Sequence, residues 1–512
     1  MKKKNIISVW MMAALLAGSM ASCISDDSSE GGQQLPSLTV KGAGAADMQV
    51  YNFDLGTDCV ITPDINYTGG DEADLKYEWQ IGTYVGGQKG ELSVVSTDRT
   101  LNYKFEKGGS YYAHLNVTDG RVGKTVDYQI NINRTFEKGF VISSTDANGD
   151  GNLVFIKTLT PEEEQQGQSE KIFEHSFEMM NPGLSEKGLV GAATSTVTWP
   201  KTLTRLLMST QDRCYILDPN NFTVLADIDY SELYPGFKAD RFCVDQYNPY
   251  AYDTKMRRFA YVNITYMFAY ENASYAKFQP ADVLSCKYKG FYGNSYETLY
   301  PDYEKNMVTG YDAYASYYGR EPFVTTEGLL DGHQLITPFL TYAIDDNTYR
   351  VEVYLMTRRE ADDAVCLWTT TTSTIFSKDD FQTCKVFTPT ATTAIPAQGA
   401  KVVGSPTYKR MFYAIGNRVY VYLPNATSFT LPDQSQYAIA FGDNEEVTFI
   451  DTDFDTEELY VATYDKTTRR GSFYVYDCKD VRTDNSGSVQ PLKAYKNCAG
   501  RITSVFYKSS IQ

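Results

Sequence analysis

Apolar and polar residues alternate with a period of two along much of the chain, which places successive side chains on opposite faces of a strand. In "LKYEWQI", Leu75, Tyr77, Trp79 and Ile81 share one face. In "GGSYYAHLNVTDG", Tyr111, Ala113, Leu115 and Val117 share one face and Tyr112, His114 and Asn116 the other, so His114 is expected to point outward. Over residues 37–135 such strands recur about every 8–12 residues with Gly and Asp between them, the rhythm of a small β-sandwich. From residue 136 the pattern becomes one of repeated hairpins: "GFVISSTDANGDGNLVFIKTL", "RLLMSTQDRCYILDPNNFTVLADI", "RMFYAIGNRVYVYLP" and "ELYVATYDKTTRRGSFYVYD". Apolar strands at intervals of roughly 40–50 residues predict propeller blades, about seven of them over residues 136–512. The sequence carries no WD, kelch or Asp-box signature, so the blades are read from hairpin rhythm alone, with further β-sandwiches as the alternative. A propeller closes by completing one terminal blade with strand from the other end. The strand at residues 140–143 is therefore expected to share a blade with strands from the last part of the chain. The predicted fold class is all-β: a small sandwich followed by a β-propeller.

The first residues follow another pattern. Lys2, Lys3 and Lys4 precede an apolar run that ends in small residues, the architecture of a secretory signal over residues 1–22. Met20-Ala21-Ser22-Cys23 resembles the bacterial lipobox, with Met where Leu is usual. The resemblance implies cleavage before Cys23, a diacylglycerol thioether on its sulfur and an N-linked acyl chain. Two or more acyl chains give stable anchoring, since each buried methylene is worth about 0.8 kcal/mol. Residues 23–36 read as a flexible acidic tether. Its run Ser25-Asp26-Asp27-Ser28-Ser29-Glu30 resembles the export signal of Bacteroidota lipoproteins that face the cell exterior.

The sandwich segment resembles the PKD/immunoglobulin-like family. Gly109, Tyr111, Ala113, Leu115, Val117 and Asp119 follow that family's late strand, with Ala113 at a Val position, and Tyr77-Glu78-Trp79 matches its Y-x-W strand. The family's F-G-D-G turn is replaced by Gln80-Ile81-Gly82-Thr83. The resemblance implies a spacer or adhesion module with Trp79 as a core residue. The whole layout resembles PKD-like lipoproteins of Bacteroidota. That implies association with an outer-membrane SusC/SusD-type nutrient-uptake system, as in polysaccharide utilisation.

The chain has 47 basic and 64 acidic residues among 512, a net charge of −17, and loss of the three signal lysines takes it to −20. A protein this acidic lacks the phosphate-contact term that dominates nucleic-acid affinity. Beyond Cys23 there are eight cysteines, none at C-x-x-C spacing, and buried free thiols are expected. Cys366–Cys384 and Cys478–Cys498 are the pairs near enough in sequence to bridge. Tyrosine is abundant, 41 against three histidines, and sixteen tyrosines fall within residues 247–318. Strand propensity explains much of this. The polar, Gly-studded "GYDAYASYYGREPF" reads instead as part of a Tyr-rich insertion around 247–320 on one propeller face. There Tyr292, Tyr296, Tyr314, Tyr317 and Tyr318 are candidate platforms for a glycan or peptide.

Candidate chemistry is sparse. Asp146, Asn148, Asp150 and Gly151 in "DANGDGN" match the opening of a calcium loop, but Lys157 stands where a bidentate Glu is needed. A hairpin turn explains the same residues. Asp451, Asp453, Asp455 and Glu457 in "DTDFDTEELY" read as a turn between blade strands. No H-E-x-x-H, G-x-S-x-G or Gly-rich phosphate loop occurs, and His175 and His333 are isolated. The expected function is a non-catalytic, surface-exposed lipoprotein that binds glycan or peptide or scaffolds an uptake complex. A propeller glycoside hydrolase or lyase using carboxylates and tyrosines, and a structural or adhesive spacer, are the alternatives. Cys23→Ala is expected to abolish metabolic labelling of the protein with radioactive palmitate; label retained by the variant would refute the lipobox reading.

Overall fold

The computed structural model describes residues 36–509 except 45–47, 56, 86–87, 106–107, 134–135, 160, 166, 198–201, 245–248, 273–277, 291–292, 312–322, 343–350, 373–377, 382, 406, 425–427 and 484–486. Its regular structure is almost entirely strand, with short helical turns such as Pro161–Gln165 and Ser176–Met180. It divides into two compact units. One lies within the residues up to 131; the other holds residue 132 onward together with residues 53–57 and 104–109.

In the first unit, Gln49–Asp54, Gly123–Asn133, Gly109–Thr118 and Lys76–Val85 are neighbours in one sheet, which Gln88–Lys89 and Ser93–Ser96 extend. Two short pairs accompany it, Ser37–Val40 with Ile65–Thr68 and Asp58–Ile61 with Leu101–Lys104. Alternation delivers Trp79, Ile81, Ala113, Leu115 and Val117 to the core. Trp79 stacks on Tyr128 at 5.6 Å, and its indole N–H donates to the Asp98 carbonyl at 3.0 Å. The late-strand aspartate holds the following turn: Asp119 accepts the N–H groups of Arg121 and Val122, each at 2.7 Å, and the Tyr67 hydroxyl at 2.6 Å. These hydrogen bonds, that of Tyr67 foremost, hold its carboxyl well below the usual range. The face expected to be outward is partly covered. Tyr112 is buried with its hydroxyl on the Gly90 carbonyl at 2.8 Å, because the hairpin after residue 85 folds back over it. His114 is half-buried rather than exposed, its Nδ1 2.6 Å from Asp127, which also pairs with Lys89.

The second unit contains seven four-stranded antiparallel sheets among its described residues. Six are consecutive in sequence and begin with the strands Leu189–Val197, Arg241–Val244, Leu284–Gly290, His333–Tyr342, Val402–Ser405 and Glu445–Asp453. The remaining sheet is assembled from both ends of the unit. Lys171–Phe173, Gly151–Lys157 and Gly139–Thr145 come from its start and Arg501–Lys508 from its end, the last pairing with Gly139–Thr145. The predicted closure strand thus lies where a propeller requires it.

Seven apolar clusters fill the seven junctions between successive sheets. A blade strand is covered on both faces, so alternation splits it between two junctions. Val141 and Phe155 face the next sheet with Leu206 and Met208, whereas Phe140 and Ile142 face the last sheet with Tyr460 and Phe473. That is why runs such as "FVI" and "LVFI" are continuously apolar. The result is an all-β, propeller-like ring.

The described parts of the stretch around 247–320 are sheet strands rather than an insertion, and residues 312–322, the centre of "GYDAYASYYGREPF", lie outside the described residues. Pro249–Asp253 and Arg258–Asn263 are the middle strands of one sheet, and Leu284–Gly290, Gly293–Asp302 and Met307–Tyr311 belong to the next. Tyr250, Tyr252, Phe259, Tyr261 and Tyr300 form the junction between these two sheets. Their large rings fill the space between blades, and the hydroxyls of Tyr250 and Tyr252 find partners in Thr298 at 3.1 Å and the Pro280 carbonyl at 2.5 Å. Ile502, fully buried where the last sheet meets the closing strand, tests the ring. Ile502→Ala is expected to cost about 3 kcal/mol, the usual result of emptying a packed aliphatic site, read as a lowered midpoint in urea denaturation. An unchanged midpoint would show that the closing strand carries little of the stability.

Candidate axial binding site

The leading strands of the sheets surround a cavity of about 460 Å³, within the range of about 300–1,000 Å³ common for small-molecule sites. Residues 192–194, 242–244, 285 and 287, 400 and 401, 414, 447–451 and 503–506 line it, so six of the seven sheets contribute. Small residues such as Ala192, Ala193 and Ser285 keep the centre open, and Phe242, Phe449 and Phe506 give it aromatic surface.

Its charged lining residues, among those described, are Lys287, Lys401 and Asp451. Asp451 Oδ2 lies 2.9 Å from the Lys401 ammonium and 3.5 Å from that of Lys287. Lys287 also donates to the Thr452 carbonyl at 3.1 Å, and Asp451 Oδ1 accepts the Thr452 N–H at 2.9 Å. Side-chain exposure separates the two lysines: 8% for Lys287 and 32% for Lys401. Lys401 further stands 5.0 Å from the centre of the Phe449 ring, a cation–π contact. Burial is the largest influence on the Asp451 carboxyl and would raise it. Lys287, then Lys401, together with the Thr452 N–H, outweigh burial and hold it below the usual carboxylate range. The site is a fixed cluster of two ammoniums around one ionised carboxylate.

Thr448 Oγ1 and Ser504 Oγ belong to lining residues and find no hydrogen-bond partner among the described residues, but both oxygens are themselves buried against protein and do not open onto the cavity.

The described residues that the sequence marked as ligand or metal sites are not among the lining residues. Cys23, Tyr292, Tyr314, Tyr317 and Tyr318 fall outside the described residues. Tyr296 lies in strand Gly293–Asp302 opposite Lys287. Asp146, Asn148 and Asp150 form the tip of the hairpin joining Gly139–Thr145 to Gly151–Lys157. There Asp146 Oδ1 accepts the N–H groups of Asn148 at 2.7 Å and Asp150 at 2.9 Å. Gly151 answers to packing, since a Cβ there would meet the Glu186 carbonyl oxygen at 2.1 Å. Lys157 pairs with Glu163 at 2.5 Å. Among the described residues no three His, Cys, Asp or Glu side chains converge as a metal-ligand group. All eight cysteines after Cys23 are free thiols. The run at 451–457 divides. Asp453 and Glu457 serve the turn and its surroundings, with Asp453 Oδ1 accepting the Asp455 N–H at 2.9 Å, whereas Asp451 faces the axis. Lys287 and Lys401 escaped sequence reasoning. The one available signal is a lysine inside a strand-forming run, as in "LSCKYKG".

A second polar cluster is structural. Glu186, fully buried, accepts the N–H groups of Leu153 and Phe177, each at 3.0 Å, and lies 3.1 Å from His175 Nδ1. Burial pushes its carboxyl up to about 7 despite the Leu153 N–H and His175. It ties the Ser176–Met180 turn to its sheet.

No protein-family model matches the chain, and no curated protein matches it in sequence. Similar solved structures include a quinonprotein alcohol dehydrogenase-like protein from Bacteroides thetaiotaomicron, 16% identical, covering 92% of this chain and 99% of that one with a TM-score of 0.49. Another is apo AztD from Citrobacter koseri, 8% identical, covering 86% of this chain and 100% of that one with a TM-score of 0.31.

Asp451→Asn is expected to destabilise the protein by about 3 kcal/mol, because it removes the counter-charge of buried ammoniums, and adding Lys287→Met should recover part of the loss. The folded carboxyl is held below its ordinary value of 3.8, so its stabilisation is complete above that pH and disappears as pH falls through the lowered value. Acid titration of urea stability should therefore be flatter in Asp451→Asn than in the parent; identical profiles would contradict the assigned role.

Proposed function

We propose that the chain is a lipoprotein anchored through Cys23 in the outer membrane and facing the cell exterior. Its propeller-like unit binds a glycan or peptide ligand in the axial cavity, without catalysis, in the service of a SusC/SusD-type uptake complex. The PKD/Ig-like sandwich, with its Trp79 core and Asp119 turn, serves as the spacer between tether and binding unit. The observation that carries this reading is the axial cluster. Glycoside hydrolysis generally uses a pair of carboxyl groups, one of them acting as acid with a raised pKa. Among the described lining residues Asp451 is the sole carboxylate, and its two lysines hold it ionised. Such a group orients neighbours and neither gives nor takes a proton near neutral pH. The cavity's mix of aromatic faces and hydroxyls suits recognition.

The detergent-solubilised, acylated protein should be titrated calorimetrically against polysaccharides and peptides, with product release followed in parallel. One ligand class is expected to bind at a single site, with no product formed, and an outer-membrane porin is expected to co-purify. Cleavage of a bound glycan would overturn the non-catalytic reading. Failure of every ligand to bind, with no co-purifying porin, would overturn the rest.

A further inference from the structure

We infer that the axial cavity is selective for acidic sugars, with the ligand carboxylate received by Lys401. This deepens the proposed binding function and rests on it. Lys287 and Lys401 bring two ammoniums to the carboxylate of Asp451. They differ in what remains available. Lys287 is the deeper one and is occupied by Asp451 and the Thr452 carbonyl. Lys401 is the more exposed; an ammonium has three N–H donors, and Asp451 takes one of them. Asp451 thus acts as a positioning residue that holds the Lys401 ammonium against Phe449 at the cavity wall.

The whole chain carries −17, so its general field repels an anion. A low-dielectric cavity whose described charged lining residues are two lysines and one aspartate provides a local potential of the opposite sign. Two features favour a sugar acid over a bare inorganic anion. Phe242 and Phe506 line the cavity and give apolar surface for one side of a pyranose. The volume of about 460 Å³ exceeds what a single small ion needs.

The test compares galacturonate oligomers with galactose oligomers of the same length on the detergent-solubilised, acylated protein by calorimetry. The acidic oligomer should bind about tenfold or more tightly, with an advantage that shrinks as salt shortens the Debye length. Lys401→Gln should erase the advantage and Lys401→Arg should keep it. Equal affinity for both oligomers at low salt would overturn the acidic selectivity while leaving glycan binding intact. Binding of neither oligomer, alongside binding of a peptide, would overturn the sugar assignment; no binding of any ligand would remove the underlying reading as well. Circular dichroism establishes folding of each variant, and if Lys401→Gln does not fold, the salt dependence of the unmodified protein decides.

Discussion

The pairing of Gly139–Thr145 with Arg501–Lys508 is the contact on which the rest of the second unit depends. Six sheets in a row would leave two apolar faces uncovered, one at each end of the stack. The seventh sheet removes both by drawing strands from the two ends of the unit into one ladder. It also brings Phe140, Ile142, Ile502 and Val505 against Tyr460, Phe473 and Val475. The hydrophobic return is collected only when the ends meet, whereas the entropy of ordering hundreds of intervening residues is a cost whatever the ends do. Gly500 shows how tight the meeting is, since a Cβ there would fall 2.0 Å from the Thr145 carbonyl oxygen.

Closure also makes the site. Strands that lead their sheets are far apart in sequence, yet a ring turns all of them toward one axis. Lys287 and Asp451 come from two different sheets, Lys401 immediately precedes the leading strand of a third, and the three meet at a single carboxylate oxygen. None of the three is informative alone. Together, with the Lys287 and Asp451 side chains only 8% and 10% exposed, they hold a charge arrangement that an exposed surface would not keep, because an exposed ion pair contributes little and is readily screened. The same geometry explains why Asp451 remains ionised although burial opposes it.

Among the described residues the abundant tyrosines are strand residues, as strand propensity suggested, and they are packed between sheets rather than set on an insertion. Alternating aromatic residues in "PYAYD" and "RFAYVN" belong to strands covered on both faces, and their rings occupy the wedge between two sheets. A polar tip on a large ring lets such a residue be buried where the tip reaches a partner, as Tyr413 does with the Ala394 carbonyl at 2.7 Å. The insertion reading placed these residues on a propeller face; packing places them in the core.

What the sequence determined by itself is what depends on local periodicity. Period-two alternation marked the strands, the change to repeated hairpins near residue 136 marked a change of architecture, and hairpin spacing pointed to blades. The partnership of residues 140–143 with the end of the chain followed from the need of any ring to close. What only the tertiary structure decided is what depends on distance between residues remote in sequence. Tyr112 is covered by a hairpin that alternation cannot foresee, and His114 meets Asp127 across two strands. Asp451 left a run of turn aspartates for the axis, where Lys287 and Lys401 awaited it. A strand's alternation records which face of a sheet a side chain takes, and it holds no information about which other sheet that face will meet.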